Sequence, residues 1–241
     1  MTNLLFFAWP YIALSLLVVG TVVRYLLERK HMDVVREEMA EARALFNGAR
    51  VWKVAVLLLV IAHAILLLVP RAVLSWNGNG GRLYLLESLL FIAGIVAIIG
   101  LAKIVWRHVG HSNRSAIAEL SDSVLLGLVL VGTLSGILLA IFYRWGSSWG
   151  AMIITPYIAS LARLNPNAAF AAQLPFLVRL HVFSAFAALA ILPLTRLAAF
   201  LVFILHGALG LLGRPVSAAG RVAEAWLRRH NPATWLWPEE D

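Results

Sequence analysis

Hydrophobic and polar positions in this chain fall into long blocks, not into alternating faces. Five apolar blocks reach the roughly twenty residues that cross a bilayer as a helix: Asn3–Val23, Val51–Val69, Leu83–Val105, Ser123–Tyr143 and Phe176–Phe200. The pattern predicts an all-α polytopic membrane protein, a bundle of five transmembrane helices. The first block is too long, and ends too basically, for a cleaved signal peptide. No small-residue cleavage site follows it, so it is expected to be retained. A sixth block, Ala151–Ala162, is twelve residues long and contains Pro156. It is too short to span and reads as an interfacial helix. The fifth block runs on apolar to Leu212, so its helix is expected to continue past the bilayer or to bend along its surface. The predicted organisation is a membrane domain, residues 1–212, and a polar cytoplasmic tail, residues 213–241, carrying Trp226, Trp235 and Trp237.

The polar segments add local detail. In His31–Asn47, Met32, Val35, Met39, Ala42 and Phe46 recur at helical spacing among Arg36, Glu37, Glu38, Glu41 and Arg43. This predicts an amphipathic helix on the inner membrane face or docked to a partner, with a plain surface helix as the alternative. Ser75–Gly81 (SWNGNGG) is turn chemistry. Ser121-Asp122-Ser123 reads as the cap that opens the fourth span. Gly132 and Gly136 have the small-xxx-small spacing that lets a helix or a flat ligand approach closely.

Composition changes the picture at two points. The net charge of +8 suggests nucleic acid until the cations are placed. Fifteen of the twenty Lys and Arg lie in Arg24–Lys53, Lys103–Arg114 and from Arg196 onward; five (Arg71, Arg82, Arg144, Arg163, Arg179) lie in the opposite loops. By the positive-inside rule the N-terminus is outside and the C-terminus cytoplasmic. The basic charge is then a topology signal with anionic lipid as its nearest partner, not a nucleic-acid surface. The absence of cysteine excludes an iron–sulfur cluster, a c-type haem attachment and a disulfide on this chain.

Two histidines carry the candidate chemistry. His63 stands seven residues before Pro70 in a span that runs outward, and His181 six residues after Pro175 in a span that runs inward. Each therefore lies roughly 10 Å below the outer boundary, at about 1.5 Å per residue. An imidazole in hydrocarbon needs a partner or a function, and two at one depth on antiparallel helices suit a bis-histidine haem. A core pair satisfied by hydrogen bonds is the bland alternative. A bare zinc or copper site would want three or four ligands, and no further His, Cys or carboxylate shares that depth. Arg71 and Arg179 are candidates for haem propionates or, equally, interfacial arginines that snorkel. His31, His108, His111, His206 and His230 read as solvated or interfacial.

On these features the chain resembles the gamma subunit of respiratory nitrate reductase, a membrane cytochrome b that oxidises quinol. The resemblance rests on Arg179-Leu180-His181 followed by Pro193 and Arg196-Leu197, on His63 with Pro70, on Tyr11-Ile12 and Arg24-Tyr25 in the first helix, and on Ser121–Gly136. It implies that His63 and His181 are the ligands of the outer of two b haems. The family's inner ligands stand ten residues before the first histidine and eighteen after the second; here those positions hold Lys53 and Ala199. The resemblance therefore implies one haem b, near the outer face. Electrons would leave on the outer side, or His31, His108, His111 or His206 would rebuild an inner site; the first is favoured.

The resemblance also implies a quinone site beside the outer haem, at the start of the third span, where Arg82, Tyr84 and Glu87 are the polar residues. Glu87 either pairs with Arg82 or accepts a quinol proton. The expected protein is an electron-transfer subunit of a respiratory oxidoreductase complex in a bacterial or archaeal cytoplasmic membrane. It takes electrons from quinol to an iron–sulfur, molybdenum or c-type cytochrome partner. The rivals are a haem-poor membrane anchor, a two-haem cytochrome with an unconventional inner site, and a transporter; the last is disfavoured by the lack of inverted repeats and of mid-membrane charge.

Overall fold

A computed structural model describes residues 2–45, 50–110, 116–166 and 174–229. The described residues are almost entirely helical and contain no strand. In chain order the elements are α1 (Thr2–Glu28), α2 (Met32–Leu45), α3 (Arg50–Leu68), α4 (Pro70–Asn77), α5 (Gly80–Gly110), α6 (Ala116–Phe142), α7 (Gly146–Trp149), a π turn (Gly150–Ile154), α8 (Thr155–Ala162), α9 (Phe176–Ile191), a 3₁₀ turn (Leu192–Leu194) and α10 (Ala198–Arg229). Five segments are long and apolar enough to cross a membrane: Phe6–Glu28, Arg50–Leu68, Gly80–Trp106, Leu120–Phe142 and Phe176–Leu194. They reproduce the five blocks read from the sequence, with ends shifted by a few residues.

Packing follows the small residues. α3 lies on α5 through Ala55, Ala93 and Ala97, whose short side chains let the two backbones approach closely. α5 also packs on α6, α6 on α9, and α9 on α1. The tightest of these is α6 with α9, where Gly132 faces Ser184 and Gly136 faces His181. Those two glycines therefore admit a helix, one of the two occupants their spacing allows. α3 and α9 are not packed along each other, so the ring α3–α5–α6–α9 stays open on one side.

The two ends of the bundle differ. At the α4 end, Pro70 opens α4 at a position where its missing N–H costs nothing. Much of the SWNGNGG stretch is therefore helix, and only Gly78 and Asn79 turn. The segment from α7 to α8 is short of a span, as expected, and is tied into the bundle. Tyr157 is fully buried and donates to Phe6 O at 2.6 Å. Tyr11 donates to Leu161 O at 2.9 Å, and Thr155 to Leu66 O at 3.0 Å. Leu164, at φ 56°, ends α8 in the left-handed conformation that closes a helix.

At the α2 end three expectations change. The apolar face of α2 is spent on this chain: Val35 and Met39 bury against Ala199 and Val202 of α10, so that face meets neither lipid nor a partner. Phe46 lies outside the described residues. The fifth apolar block is not one helix to Phe200. It breaks after Ile191 into a 3₁₀ turn containing Pro193 and an extended Thr195, and restarts as α10. α10 then runs to Arg229. Trp235 and Trp237 lie outside the described residues. Asp122 is not a cap either: α6 starts at Ala116, and Asp122 sits buried inside it, accepting from Arg196 N at 3.0 Å and pairing with the Arg196 guanidinium.

That pair belongs to an ionic clasp around the break. Arg24 donates to the backbone carbonyls of the buried Pro193 (3.2 Å) and Thr195, and pairs with Glu28 (2.8 Å) and Glu38. Arg196 also reaches Glu41 at 3.6 Å. A chain break near hydrocarbon leaves carbonyls without helical partners, and such groups are costly unless satisfied within the protein. Arg24 supplies the donors.

Candidate functional site

His63 on α3 and His181 on α9 face one another across the open side of the ring. Their ring centres are 6.0 Å apart and the ring planes differ by 30°. Each Nδ1 is tied to a backbone carbonyl: His63 to Leu59 O at 2.7 Å, His181 to Gly132 O at 2.8 Å. A carbonyl only accepts, so both rings carry their proton on Nδ1. That leaves Nε2 of each with its lone pair, the state of an imidazole ready to bind a metal. Ser135 lies 3.3 Å from the same His181 nitrogen and donates to Gly132 O at 2.9 Å, which narrows the ring's freedom further.

The surroundings fit a flat group between the rings. Two imidazoles bound through Nε2 to one metal at about 2 Å have ring centres roughly 6 Å apart, the separation seen here. Gly136 makes room for the His181 ring, since a Cβ there would stand 3.1 Å from His181 Cε1. The α3 span is the least enclosed of the five, 6% buried against 28% for the α5 span. Its histidine face thus borders space that no helix among the described residues fills. Arg179, one turn-half before His181, has a buried Nε with no hydrogen-bond partner, a donor still to be satisfied near the rim. Arg71 lies exposed in the first turn of α4.

The other expected residues separate. Arg82 lies over the Trp76 ring, 5.2 Å from its centre, and Tyr84 packs edge-on to Trp145 at 4.9 Å. Glu87 does not pair with Arg82. Its Oε1 accepts from Ser147 N at 2.8 Å and Ser147 Oγ at 2.6 Å, while Asn77 donates to Ser147 and Ser148, both at 2.9 Å. Glu87 thereby fixes the start of α7. His31 is exposed at the α1–α2 turn, and His206 packs on Tyr25 at 6.1 Å. His108 lies near the end of α5; His111 and His230 lie outside the described residues. No group of three or more His, Cys, Asp or Glu able to hold a metal occurs among the described residues. Sequence reasoning missed Leu59 O, Gly132 O and Ser135 as supports of the rings. Only Gly132 had a signal, its spacing from Gly136.

Five apolar spans around facing imidazoles define an integral membrane protein of the helical-bundle class. Residues 2–218 match the nitrate reductase gamma subunit family, and the chain belongs to it. It is 24% identical over 192 residues to the nitrate reductase gamma chain of Bacillus subtilis (strain 168), covering 78% of this chain and 86% of that one. It is 23% identical over 199 residues to the respiratory nitrate reductase 2 gamma chain of Escherichia coli (strain K12), covering 78% and 85%. It is also 24% identical over 232 residues to the nitrate reductase-like protein NarX of Mycobacterium tuberculosis; there the match takes in 94% of this chain and only 35% of the relative's length.

Proposed function

We propose that this chain is a membrane cytochrome b subunit of a nitrate reductase-like respiratory complex, carrying one bis-histidine haem b and taking electrons from quinol. The observation that carries the proposal is the facing ring pair, 6.0 Å between centres, with both Nδ1 atoms engaged and both Nε2 atoms free to ligate. Haem supplies one-electron transfer when bound. The chain's own residues do the rest. His63 and His181 would hold the iron, and their carbonyl partners fix tautomer and orientation. Arg179 Nε and Arg71 would be the donors for the propionates. Arg82, Tyr84 and Glu87 border the quinol site, where Glu87 Oε2, without a hydrogen-bond partner among the described residues, receives a proton.

The α4 end faces outside and the α2 end the cytoplasm, on the Lys and Arg count. One haem rather than two is supported at the position matching the family's second inner ligand. Ala199 there is fully buried among Val35, Met39 and Val202. Electrons then leave toward an iron–sulfur, molybdenum or c-type cytochrome partner on the outer side, in a bacterial or archaeal cytoplasmic membrane. The test is haem b per polypeptide, by pyridine haemochrome against quantitative amino-acid analysis of the purified protein. A ratio near one is expected. A ratio near two overturns the single-haem assignment, and a ratio near zero leaves a membrane anchor.

A further inference from the structure

At the α2 end a cavity of about 330 Å³ opens between α2, α3 and α10, lined by Arg43, Trp52, Lys53 and Phe200. Its chemistry is one-sided. Among the described residues, two cations, both exposed, share it with two aromatic rings and no carboxylate. Neither Arg43 nor Lys53 forms an ion pair among the described residues. The Arg43 guanidinium lies 5.7 Å from the centre of the Phe200 ring, and a ring face is a weak counterpart for a charge. Trp52 is fixed by contact with Gly100, where a Cβ would overlap its ring. The clasp described above takes up Glu28, Glu38, Glu41 and Asp122 with Arg24 and Arg196, so those acids are spent elsewhere. Two like charges at one cavity repel unless an anion joins them.

The depth of the cavity says which anion. Lys53 lies in the first turn of a membrane-length helix that begins at Arg50, the level at which a bilayer presents headgroups. Tryptophan and basic side chains favour that level, and a basic pocket between helices there suits an anionic headgroup. We infer that this cavity binds the phosphodiester of an anionic phospholipid. One non-bridging oxygen meets Arg43 and the other Lys53, and the glycerol and first acyl carbons lie on Trp52 and Phe200. The inference is independent of what His63 and His181 hold.

The test uses the intact protein in nanodiscs of equal phosphatidylglycerol and phosphatidylcholine, followed by native mass spectrometry of what the chain retains. One phosphatidylglycerol per chain is expected, preferred about 30-fold over phosphatidylcholine, from roughly fivefold for each cation near an anionic headgroup. The double variant Arg43→Gln/Lys53→Gln should bring the ratio near one. The charge-keeping pair Arg43→Lys/Lys53→Arg should retain most of the preference, which separates loss of charge from loss of fold. Lys103→Gln, at an exposed lysine of α5, should change nothing. A wild-type ratio near one overturns the inference, as does a double variant that retains the lipid like the wild type. Displacement of the lipid by millimolar inorganic phosphate would make this a free-phosphate site, and displacement by an acidic peptide a protein contact; either overturns the lipid assignment.

Discussion

Gly136→Ala tests how the histidine is held, because the same change elsewhere on α6 has the opposite expected sign. A helical Gly→Ala substitution gains about 0.5–1 kcal/mol from backbone entropy. At Gly127 nothing stands within 4 Å of the added Cβ, so that gain should appear undiminished. At Gly136 the Cβ would come within 3.1 Å of His181 Cε1 and 3.4 Å of Nδ1. The ring must yield by a few tenths of an ångström, and its Nδ1 bond to Gly132 O, 2.8 Å long, resists that movement. Overpacking of this kind costs about 1–3 kcal/mol. The two variants should therefore differ by roughly 1–3 kcal/mol, with Gly127→Ala the more stable. Thermal unfolding in detergent, followed by helical circular dichroism, measures this. If both variants gain equally, the close contact between α6 and the His181 ring is wrong, and with it the account of how the ring is oriented.

Other outcomes follow from single contacts. His63→Ala and His181→Ala should each abolish the haem b absorbance while the protein still inserts, measured by visible spectroscopy of membranes beside an immunoblot. Asp122→Ala leaves Arg196, among the described residues, with only Glu41 at 3.6 Å and should cost about 3 kcal/mol, as for removing one member of a buried pair; Asp122→Asn should cost less, and limited proteolysis at the α9–α10 break should report both. Burial, with Tyr11 beside it, pushes the Tyr157 phenol up to about 12 from 10.0. Its stabilising contribution is thus complete below pH 10 and is lost as pH rises through 12. Tyr157→Phe should flatten the fall in melting temperature across that window, and should cost about 1 kcal/mol below it through the lost bond to Phe6 O.

The parts of this protein legible in one dimension were those that depend on length and depth. Apolar block length placed five spans, and counting from Pro70 and Pro175 put His63 and His181 at one level. That the two rings face each other depends on helix rotation, which is set by Ala55, Ala93 and Ala97 on one side and by Gly132 and Gly136 on the other. No single segment encodes it. Amphipathicity in α2 announced a buried face but not its cover, and the cover proved to be Ala199 and Val202, more than 150 positions away. The Ser121-Asp122-Ser123 cap was misleading because a cap and a mid-helix acid have the same local spelling; Arg196, 74 residues on, decides between them. The break at Pro193 hid inside continuous hydropathy, since what makes it tolerable is a donor on another helix, Arg24. Pairing with Arg82, one of the two readings open for Glu87, does not occur for a similar reason: its partner, Ser147, lies 60 residues away.

The open side of the ring has a consequence for biogenesis. On the proposed function, the histidine face of α3 would be held by the haem between the two imidazoles. A ligand that binds only the closed ring stabilises it in proportion to the logarithm of the ligand's free concentration over its dissociation constant. The unloaded protein should therefore leave the insertion machinery with α3 docked on α5 but its histidine face uncovered, visible to membrane proteases. The cell's supply of the prosthetic group would then set how much of the subunit survives, so that assembly is policed at the moment of loading and needs no separate inspector.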